Sequence, residues 1–277
     1  MASQPLTLLE AAEELGVHYM TVYRYVRTGR LPATRVGGIW HVAPGDLALV
    51  RRGGAGASSP RPTGLTPTRS QLQARLVAGD EAGAWNLLEA ALASDMSAED
   101  VLLELVAPTM RSIGLRWERG QLSIADEHRA STVAARLISR LGARFARRGV
   151  KRGVVVLAAP SGELHAAPVA IAANLLRWAG FEVVELGPNT PADALAETVA
   201  REPGLLAVGI ACTTDAARRP AQRAIATVRR SSPDVPILLG GAAISDAEHA
   251  RKLGADVFTG QRADEVVRAV ENLVSAR

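Results

Sequence analysis

The spacing of hydrophobic residues changes along the chain and divides it into three parts. Apolar residues recur at helical spacing in two short segments before residue 50 and again throughout about residues 68–148. From residue 153 onward, short continuous apolar runs alternate with helical patterns. A stretch rich in Gly, Ser and Pro separates the first two parts and predicts a flexible linker. We therefore expect domains over residues 1–50, 68–148 and 149–277, with the linker over residues 51–67.

The first part is typical of a helix-turn-helix followed by a β-ribbon. Thr7, with Glu10 three residues later, predicts a capped helix. After a tight turn, a second helix is expected from about Tyr19 to Arg27. Residues 34–42 place two short strands around Gly37-Gly38, a pair that is common in hairpin turns. This arrangement predicts a small winged domain.

The second helix and the ribbon carry side chains that suit DNA binding. Arginine pairs with guanine or phosphate, and threonine and tyrosine hydroxyls bond phosphates. Helical spacing predicts that Tyr19, Thr21, Arg24 and Arg27 project outward, and the candidate DNA-contacting set adds Tyr23 of the same helix and Arg35 of the ribbon. The alternative is a solvated basic helix in a small protein-binding domain.

The pattern from Leu6 to Val42 resembles the winged helix-turn-helix of excisionase and MerR-type regulators in spacing, turn and ribbon. His18 departs from it, since that family often has a Ser cap there. The resemblance implies a double-stranded DNA operator as a partner. The charge distribution agrees: the first 65 residues hold seven arginines and four acidic residues, so three of the four net positive charges lie there.

The second part predicts a four-helix bundle. Asp80 is expected to cap a helix that reaches Ser94. Ser97 and Asp100 form a capping box for a helix that reaches about Trp117. The last helix is expected from about Ser123 to Arg147, with apolar residues at four-residue spacing. Short connections between helices favour a bundle.

The third part alternates strands with helices. Strands are expected over Val154–Ala158, Glu182–Leu186, Leu205–Ala211, Pro236–Leu239 and Asp256–Thr259. Helices are expected near Ala167–Ala179, Pro191–Ala200, Ala216–Arg230, Asp246–Leu253 and Ala263–Ser275. Five such units suit the flavodoxin-like, doubly wound fold with a five-stranded parallel sheet, whose ligands bind beyond the carboxyl ends of the strands. The fold class is thus a multidomain combination of α and α/β units.

Composition excludes several classes of protein. Apolar residues make up 48% of the chain, which excludes wholly disordered proteins, and aromatics only 4%. Cys212 is the single cysteine, so a disulfide framework and a multi-cysteine zinc site are excluded within one chain, and a reducing compartment fits best. The chain has neither a signal-peptide pattern nor an apolar run of about 18 residues. We therefore expect a cytoplasmic protein without a membrane partner.

The loop after the first strand of the third part carries a candidate metal ligand. His165 stands at the edge of the sheet where ligands bind, and one of its ring nitrogens could coordinate a metal. Glu163, two residues earlier, could accept a hydrogen bond from the other nitrogen and fix the tautomer. Spacing alone leaves open a surface histidine with an acidic neighbour.

Small residues end two other strands and leave room for an extended ligand. They are Gly209 and Ala211, followed by Thr213, and Gly240 with Gly241. Together with the Glu163–His165 loop, they resemble the cobalamin-binding domain of methionine synthase and cobalamin-dependent mutases. The resemblance implies that His165 is the lower cobalt ligand and that the small residues line the channel for the nucleotide tail. Pro168 replaces the family's glycine and Ala211 its serine, so a hydrogen bond to the tail is expected to be lost or moved to Thr213 or Thr214.

Trp117, followed after nine residues by Glu127-His128, has two interpretations. By default they are a core aromatic and an exposed pair near a helix start. The spacing also resembles the signature of the cobalamin-dependent light-sensing regulators of the CarH and LitR type. The resemblance implies that Trp117 covers the upper face of the corrin and that Glu127 and His128 line the same chamber. With it, the likeness covers nearly the whole chain in the right order.

The resemblance implies a transcription regulator, not an enzyme, that uses adenosylcobalamin as its chromophore. Light would change its oligomeric state, a dimer or tetramer, and its DNA binding. Two alternatives stay open: a regulator that senses cobalamin without light, and a corrinoid methyl carrier, which has no need of a DNA-binding domain. Glu118 follows Trp117, where the light-sensing family commonly has a histidine that binds cobalt after illumination. We therefore expect the illuminated protein to hold water or hydroxide on the upper face, or to use His128, instead of the family's usual bis-histidine adduct.

Overall fold

A computed structural model describes residues 5–17, 19–27, 30–36, 39–48, 50, 67–146 and 149–275. Nearly all of the expected linker lies outside the described residues, as do His18 and the Gly37-Gly38 turn. The chain divides into two compact units, Met1–Thr66 with Glu271–Arg277 and Pro67–Val270. No described helix is long and apolar enough to cross a membrane.

The first unit has the predicted helix-turn-helix and ribbon. Its elements are β1 (Leu6–Thr7), α1 (Leu8–Leu15), α2 (Tyr19–Arg27), β2 (Thr34–Val36) and β3 (Ile39–Val42). Thr7 caps α1 through the predicted box with Glu10, and Gly16 ends the helix at φ 66°. The strands form an antiparallel sheet in the order β1-β3-β2. The winged helix-turn-helix expectation is therefore confirmed.

The second unit begins with the helical bundle. Its elements are α3 (Arg69–Ala78), α4 (Glu81–Ala93), α5 (Ala98–Asp100), a π-helical segment (Val101–Val106), α6 (Ala107–Glu118) and α7 (Ile124–Gly142). Asp80 caps α4, and capping boxes begin α5 at Ser97 and α7 at Ser123, the first two as predicted.

The π-helical segment departs from the regular helix that the periodicity predicts. Pro108 lacks the N–H that would close a regular turn on the carbonyl of Glu104. Arg69 Nε donates to that carbonyl instead (2.6 Å), and the Arg69 guanidinium pairs with the Glu104 carboxylate at 3.0 Å. The wider turn also lets five of the six residues in the segment be buried.

The last bundle helix ends at Gly142, earlier than the predicted end near Arg147. The chain turns there, and Phe145 becomes fully buried, with its ring edge-on to that of Trp178 at a centroid distance of 6.5 Å. A Cβ on Gly142 would lie 3.3 Å from Asn174 Oδ1, so the glycine permits close approach of the next domain. Tertiary packing thus sets this helix end.

The bundle is followed along the chain by the predicted α/β domain, whose last helix continues beyond Val270, where the second unit ends. Its strands are β4 (Val154–Pro160), β5 (Glu182–Thr190), β6 (Leu205–Ala211), β7 (Ile237–Gly240) and β8 (Val257–Phe258). Its helices are α8 (Ala166–Trp178), α9 (Ala192–Arg201), α10 (Arg218–Ser231), α11 (Ala247–Lys252) and α12 (Glu265–Ser275). All strand pairs are parallel, in the order β5-β4-β6-β7-β8. The chain moves from β4 to β5 on one side and then returns to β6 on the other side of β4. A ligand crevice is expected between the carboxyl ends of β4 and β6, where the direction of the strand order reverses.

Candidate functional site

The loop after β4 fixes Glu163 below the edge of the sheet. Its N–H donates to the carbonyl of Pro160 (2.9 Å), and its own carbonyl accepts from the N–H of Asn189 (2.8 Å). Asn189 Oδ1 also accepts from the N–H of Gly162 (2.8 Å), where the backbone has φ 81°. The loop therefore holds a carboxylate that is fully buried.

The Glu163 carboxylate accepts hydrogen bonds from two loops. Its Oε1 accepts from the N–H (3.2 Å) and from Nδ1 (2.5 Å) of His165. Its Oε2 accepts from the N–H (2.8 Å) and hydroxyl (2.6 Å) of Thr213. Thr214 adds its N–H at 3.1 Å and its hydroxyl at 3.3 Å. These bonds compensate the buried charge.

These contacts determine the protonation of the pair. Burial raises the pKa of Glu163, but the hydrogen bonds from His165 and Thr213 outweigh it and lower that pKa to about 2. The hydrogen bond to Glu163 raises the pKa of His165. With Nδ1 donating to a carboxylate, the neutral imidazole carries its lone pair on Nε2. The His165 side chain is half exposed, so that nitrogen suits a metal.

Two carboxylates of the bundle act on the same imidazole. Glu127 and Glu118 both raise the pKa of His165 electrostatically, after the larger effects of Glu163 and burial. Glu127 is held in place, because its carboxylate accepts from the Ser131 hydroxyl (2.6 Å) and lies 2.9 Å from His128 Nδ1. The bundle therefore presents acidic groups toward the half-exposed histidine.

The structure places the other bundle candidate on the surface. Trp117, near the end of α6, is 42% exposed, so it is not the core aromatic of the default interpretation. An indole exposed to this extent suits contact with a flat ligand. The side chain of His128 is 70% exposed and paired with Glu127. These residues therefore remain candidates for the chamber.

A pocket of about 70 Å³ opens beside the first turns of α8. Its lining is mostly apolar or glycine, and it includes the predicted Gly209, Ala211, Gly240 and Gly241. The walls belong to the ends of β4, β6 and β7, to α8, and to the turn after β8. The pocket and the candidate ligand are linked through α8, which begins directly after His165 and contributes Pro168 to the lining.

Nearby backbone and side-chain atoms leave no room for a Cβ at three glycines of this pocket. A Cβ on Gly241 would lie 2.3 Å from the carbonyl oxygen of Cys212, and its φ is 116°. A Cβ on Gly240 would lie 2.1 Å from Thr259 Oγ1. Gly209 is limited by the Leu157 side chain, which a Cβ would approach to 2.6 Å. Close backbone packing therefore requires small residues here, and the same small residues leave the pocket open.

The departures from the cobalamin-domain pattern have structural explanations. Pro168 lies in the first turn of α8, where an N–H has no helical partner, so proline is tolerated, and its ring lines the pocket. Ala211 lines the pocket without a hydroxyl. The Thr213 hydroxyl, one predicted replacement for the missing serine, bonds to Glu163 and lies 3.1 Å from His165 Nδ1. The sequence prediction did not include the bond between Thr213 and Glu163.

The described part of the chain contains no group of three or more His, Cys, Asp or Glu residues that could hold a metal ion. A bare metal site is therefore not formed by these residues. A single imidazole beside a ligand pocket suits a metal that arrives with its other ligands attached to a cofactor. Cys212 is buried, and burial raises the pKa of its thiol to about 11, which is unfavourable for a nucleophile or a thiolate ligand.

The first unit corrects part of the DNA-contact prediction. Thr21 is 8% exposed and Tyr23 is 1% exposed, so neither projects outward as a residue that contacts DNA would. Residues 20–23 of α2 are all buried, and Val26 is half-buried. The physical reason is that a short helix in a small domain is covered over a wider arc than its apolar spacing indicates.

The remaining candidates differ in exposure, and aromatic rings contact several arginines of the first unit. Arg27 and Arg35 are exposed, while Tyr19 and Arg24 are half-buried. The Arg35 guanidinium lies 5.7 Å from the centroid of the Trp40 ring. Tyr25, which the sequence prediction missed, lies beneath Arg24 (5.5 Å) and Arg30 (4.7 Å). Stacking restricts the arginine rotamers before DNA is met.

Family models match three regions of the chain. A model described as a B12 binding domain matches residues 68–141, and a second with that description matches residues 153–270. A model of a helix-turn-helix domain matches residues 6–52.

Individual proteins are also similar to this chain. The HTH-type transcriptional repressor CarH of Myxococcus xanthus is 32% identical over 214 residues, which covers 75% of this chain and 69% of the relative. The dimethylamine corrinoid protein of Methanosarcina barkeri is 27% identical over 187 residues, covering 65% and 85% of the two chains. The structure of the Methanosarcina barkeri monomethylamine corrinoid protein has a TM-score of 0.63 at 18% identity, covers 73% of this chain and 96% of that one, and shows a shared fold.

Proposed function

The chain belongs to the family of the HTH-type transcriptional repressor CarH, and we propose that it is a regulator whose DNA binding responds to light through adenosylcobalamin. It combines a helix-turn-helix domain with B12-binding domains, which makes it a cobalamin-binding transcription regulator. The adenosyl form of the cofactor, the light response and a change of oligomeric state are parts of the proposal.

The Glu163–His165 pair carries the proposal of the cobalamin site. A buried, ionised carboxylate orients the half-exposed imidazole, and the helix that follows His165 contributes Pro168, Val169 and Ala172 to the lining of a mostly apolar pocket. His165 would hold the cobalt, and Glu163 would fix its tautomer. Gly209, Ala211, Gly240 and Gly241 would surround the nucleotide tail. Thr213 acts here through its bonds to Glu163.

The bundle supports the proposal that the upper face of the corrin is covered. Trp117 is exposed. Glu127, which pairs with His128, raises the pKa of His165 electrostatically. Adenosylcobalamin supplies a cobalt–carbon bond that light can break. Trp117, Glu127 and His128 would contact the adenosyl group and so make the position of the bundle depend on its presence.

A corrinoid methyl carrier is the second candidate function. The dimethylamine corrinoid protein of Methanosarcina barkeri matches 65% of this chain, and the carrier structure shares its fold. The helix-turn-helix domain over residues 6–52 favours the regulator, because a carrier does not need to bind DNA. A carrier would bind a corrinoid and show no cofactor-dependent DNA binding.

The test is a titration of the full chain with adenosylcobalamin in the dark, followed by absorbance spectra before and after green light. We expect saturable binding and a spectral change on illumination. His165→Ala should abolish the imidazole-ligated spectrum, and Glu163→Gln should weaken binding about 10–100-fold. If His165→Ala bound the cofactor with unchanged affinity and spectrum, the assignment of the cobalt ligand would be wrong.

A further inference from the structure

The turn after β8 brings a charge to the pocket. Among the described residues that line the pocket, Arg262 is the one with a charged side chain. The other lining residues are apolar, glycine, or the neutral Thr259 and Gln261. The side chain of Arg262 is 47% exposed, so the guanidinium belongs to the mouth of the pocket. The pocket therefore suits a flat apolar group that is joined to an anion.

Arg262 is held in place from several sides. Its N–H donates to Glu265 Oε2 (2.9 Å), and its Nε donates to Asp264 Oδ1 (3.1 Å). Asp264 is only 5% exposed, so this carboxylate is a fixed partner. The preceding turn is anchored by Gly260, whose carbonyl accepts from the N–H of Gly241 (3.0 Å). The guanidinium is therefore preorganised and needs little ordering to bind an anion.

We propose that Arg262 binds the phosphodiester in the nucleotide tail of the corrinoid and so makes the site selective for corrinoids that carry this tail. The inference rests on the proposed cobalamin site and names a specificity determinant within it. The tail combines an aromatic base with one anionic phosphodiester, which matches an apolar pocket with one cation at its mouth. An arginine fork, whose Nε–H is directed to Asp264, suits two oxygens of a phosphate.

The experiment compares two corrinoids that differ in the tail. Aquacobalamin has the nucleotide with its phosphodiester, and diaquacobinamide lacks both. Affinities of the full chain for each are measured by absorbance titration, for the wild type and for Arg262→Gln. We expect Arg262→Gln to lower the affinity for aquacobalamin about tenfold and to leave that for diaquacobinamide within about twofold.

Two further variants control for the general loss of a positive charge and for the unbalanced charge of Asp264. Arg201→Gln removes an exposed arginine that pairs with Glu197 at 2.6 Å in the same domain, and it should change neither affinity. Arg262→Gln removes one partner of the buried Asp264. The double variant Arg262→Gln/Asp264→Asn removes both charges. The double variant should show the same loss, confined to aquacobalamin, and thermal unfolding of the cofactor-free proteins reports whether each is folded.

The outcomes separate this inference from the proposed function. If the wild type binds both corrinoids and Arg262→Gln weakens both equally, or weakens neither, the role of Arg262 is wrong while the cobalamin site stands. If the wild type binds neither corrinoid, the proposed function fails and the inference fails with it.

Discussion

At the scale of single residues, Thr213 is the side chain that joins the two loops of the site. Its hydroxyl donates to the buried Glu163 carboxylate at 2.6 Å, whereas the Thr214 hydroxyl donates at 3.3 Å. A bond to a buried charge is worth about 1.5–3 kcal/mol, and a long bond is worth less. Thr213→Val should therefore destabilise the cofactor-free protein and weaken corrinoid binding more than Thr214→Val, as measured by urea unfolding and absorbance titration. Equal effects of the two variants would contradict this role.

Glu118 is expected to limit which ligands the cobalt can take after illumination. It stands directly after Trp117 and acts electrostatically on His165. A carboxylate is a poorer partner than imidazole for this metal. We expect the illuminated wild type to hold water, hydroxide or His128 on the upper face, and Glu118→His to acquire a bis-imidazole spectrum of its own.

His128→Ala is the control for this prediction, because His128 is the other histidine of the bundle. A bis-imidazole spectrum in the wild type that disappears in His128→Ala would assign the second ligand to His128. One that survives in His128→Ala would refute the prediction.

The arginines of the winged domain are expected to differ in what they contact. Arg24 lies on α2 and Arg35 on β2. Arg24→Ala should cost about 1–3 kcal/mol on the cognate operator and relax sequence preference, as expected for a base contact. Arg35→Ala should weaken binding to cognate and scrambled DNA alike and reduce the salt dependence, as for a phosphate contact. Gel-shift titrations on both DNAs measure this, and equal small losses for both variants would reduce Arg24 to a backbone contact.

Much of the residue-level site was predictable, because Glu163 and His165 are neighbours in sequence at the end of a strong strand. The roles of Thr213 and Arg262 were not predicted, since they depend on which strands become neighbours. A signal existed: Thr213 follows β6 and Arg262 follows β8, and the carboxyl ends of parallel strands meet at one edge. Thr21 and Tyr23 were wrongly predicted to contact DNA. The spacing of apolar residues indicates one buried face of a helix but does not show that a second face is also buried.

At the scale of elements, the strand ends are built around glycine. Gly241→Ala would bring a Cβ to 2.3 Å from the Cys212 carbonyl at a backbone φ of 116°, and we expect a loss of about 1–3 kcal/mol. Gly114 of α6 is the matched control, since nothing lies within 4 Å of its Cβ position. Gly114→Ala should stabilise by about 0.5–1 kcal/mol. Urea unfolding of the cofactor-free variants measures both, and a Gly241→Ala protein of wild-type stability would show that the backbone contact relaxes.

The bounds of most elements were predictable to within a few residues, because helix caps and the spacing of apolar residues depend only on the local sequence. Thr7, Asp80 and Ser97 each begin a helix as predicted. The π-helical segment was not predicted, although Pro108 supplies a local cause, because its effect requires Arg69 to satisfy the freed carbonyl. The end of α7 likewise depends on Phe145 packing against Trp178 in another domain.

At the scale of the whole molecule, the central claim is that one cofactor couples light to DNA binding. A single winged domain offers a limited interface, so a change of oligomeric state alters the affinity for an operator strongly. The ligand can shift this equilibrium only if it binds the two states differently.

The most direct test is operator binding by the full chain loaded with adenosylcobalamin, measured by gel shift in the dark and after green light, with size-exclusion chromatography of the same samples. We predict tight binding by an oligomer in the dark, weaker binding by a smaller species after illumination, and no light effect in His165→Ala. Equal operator binding and equal size before and after illumination, with adenosylcobalamin bound, would contradict the account.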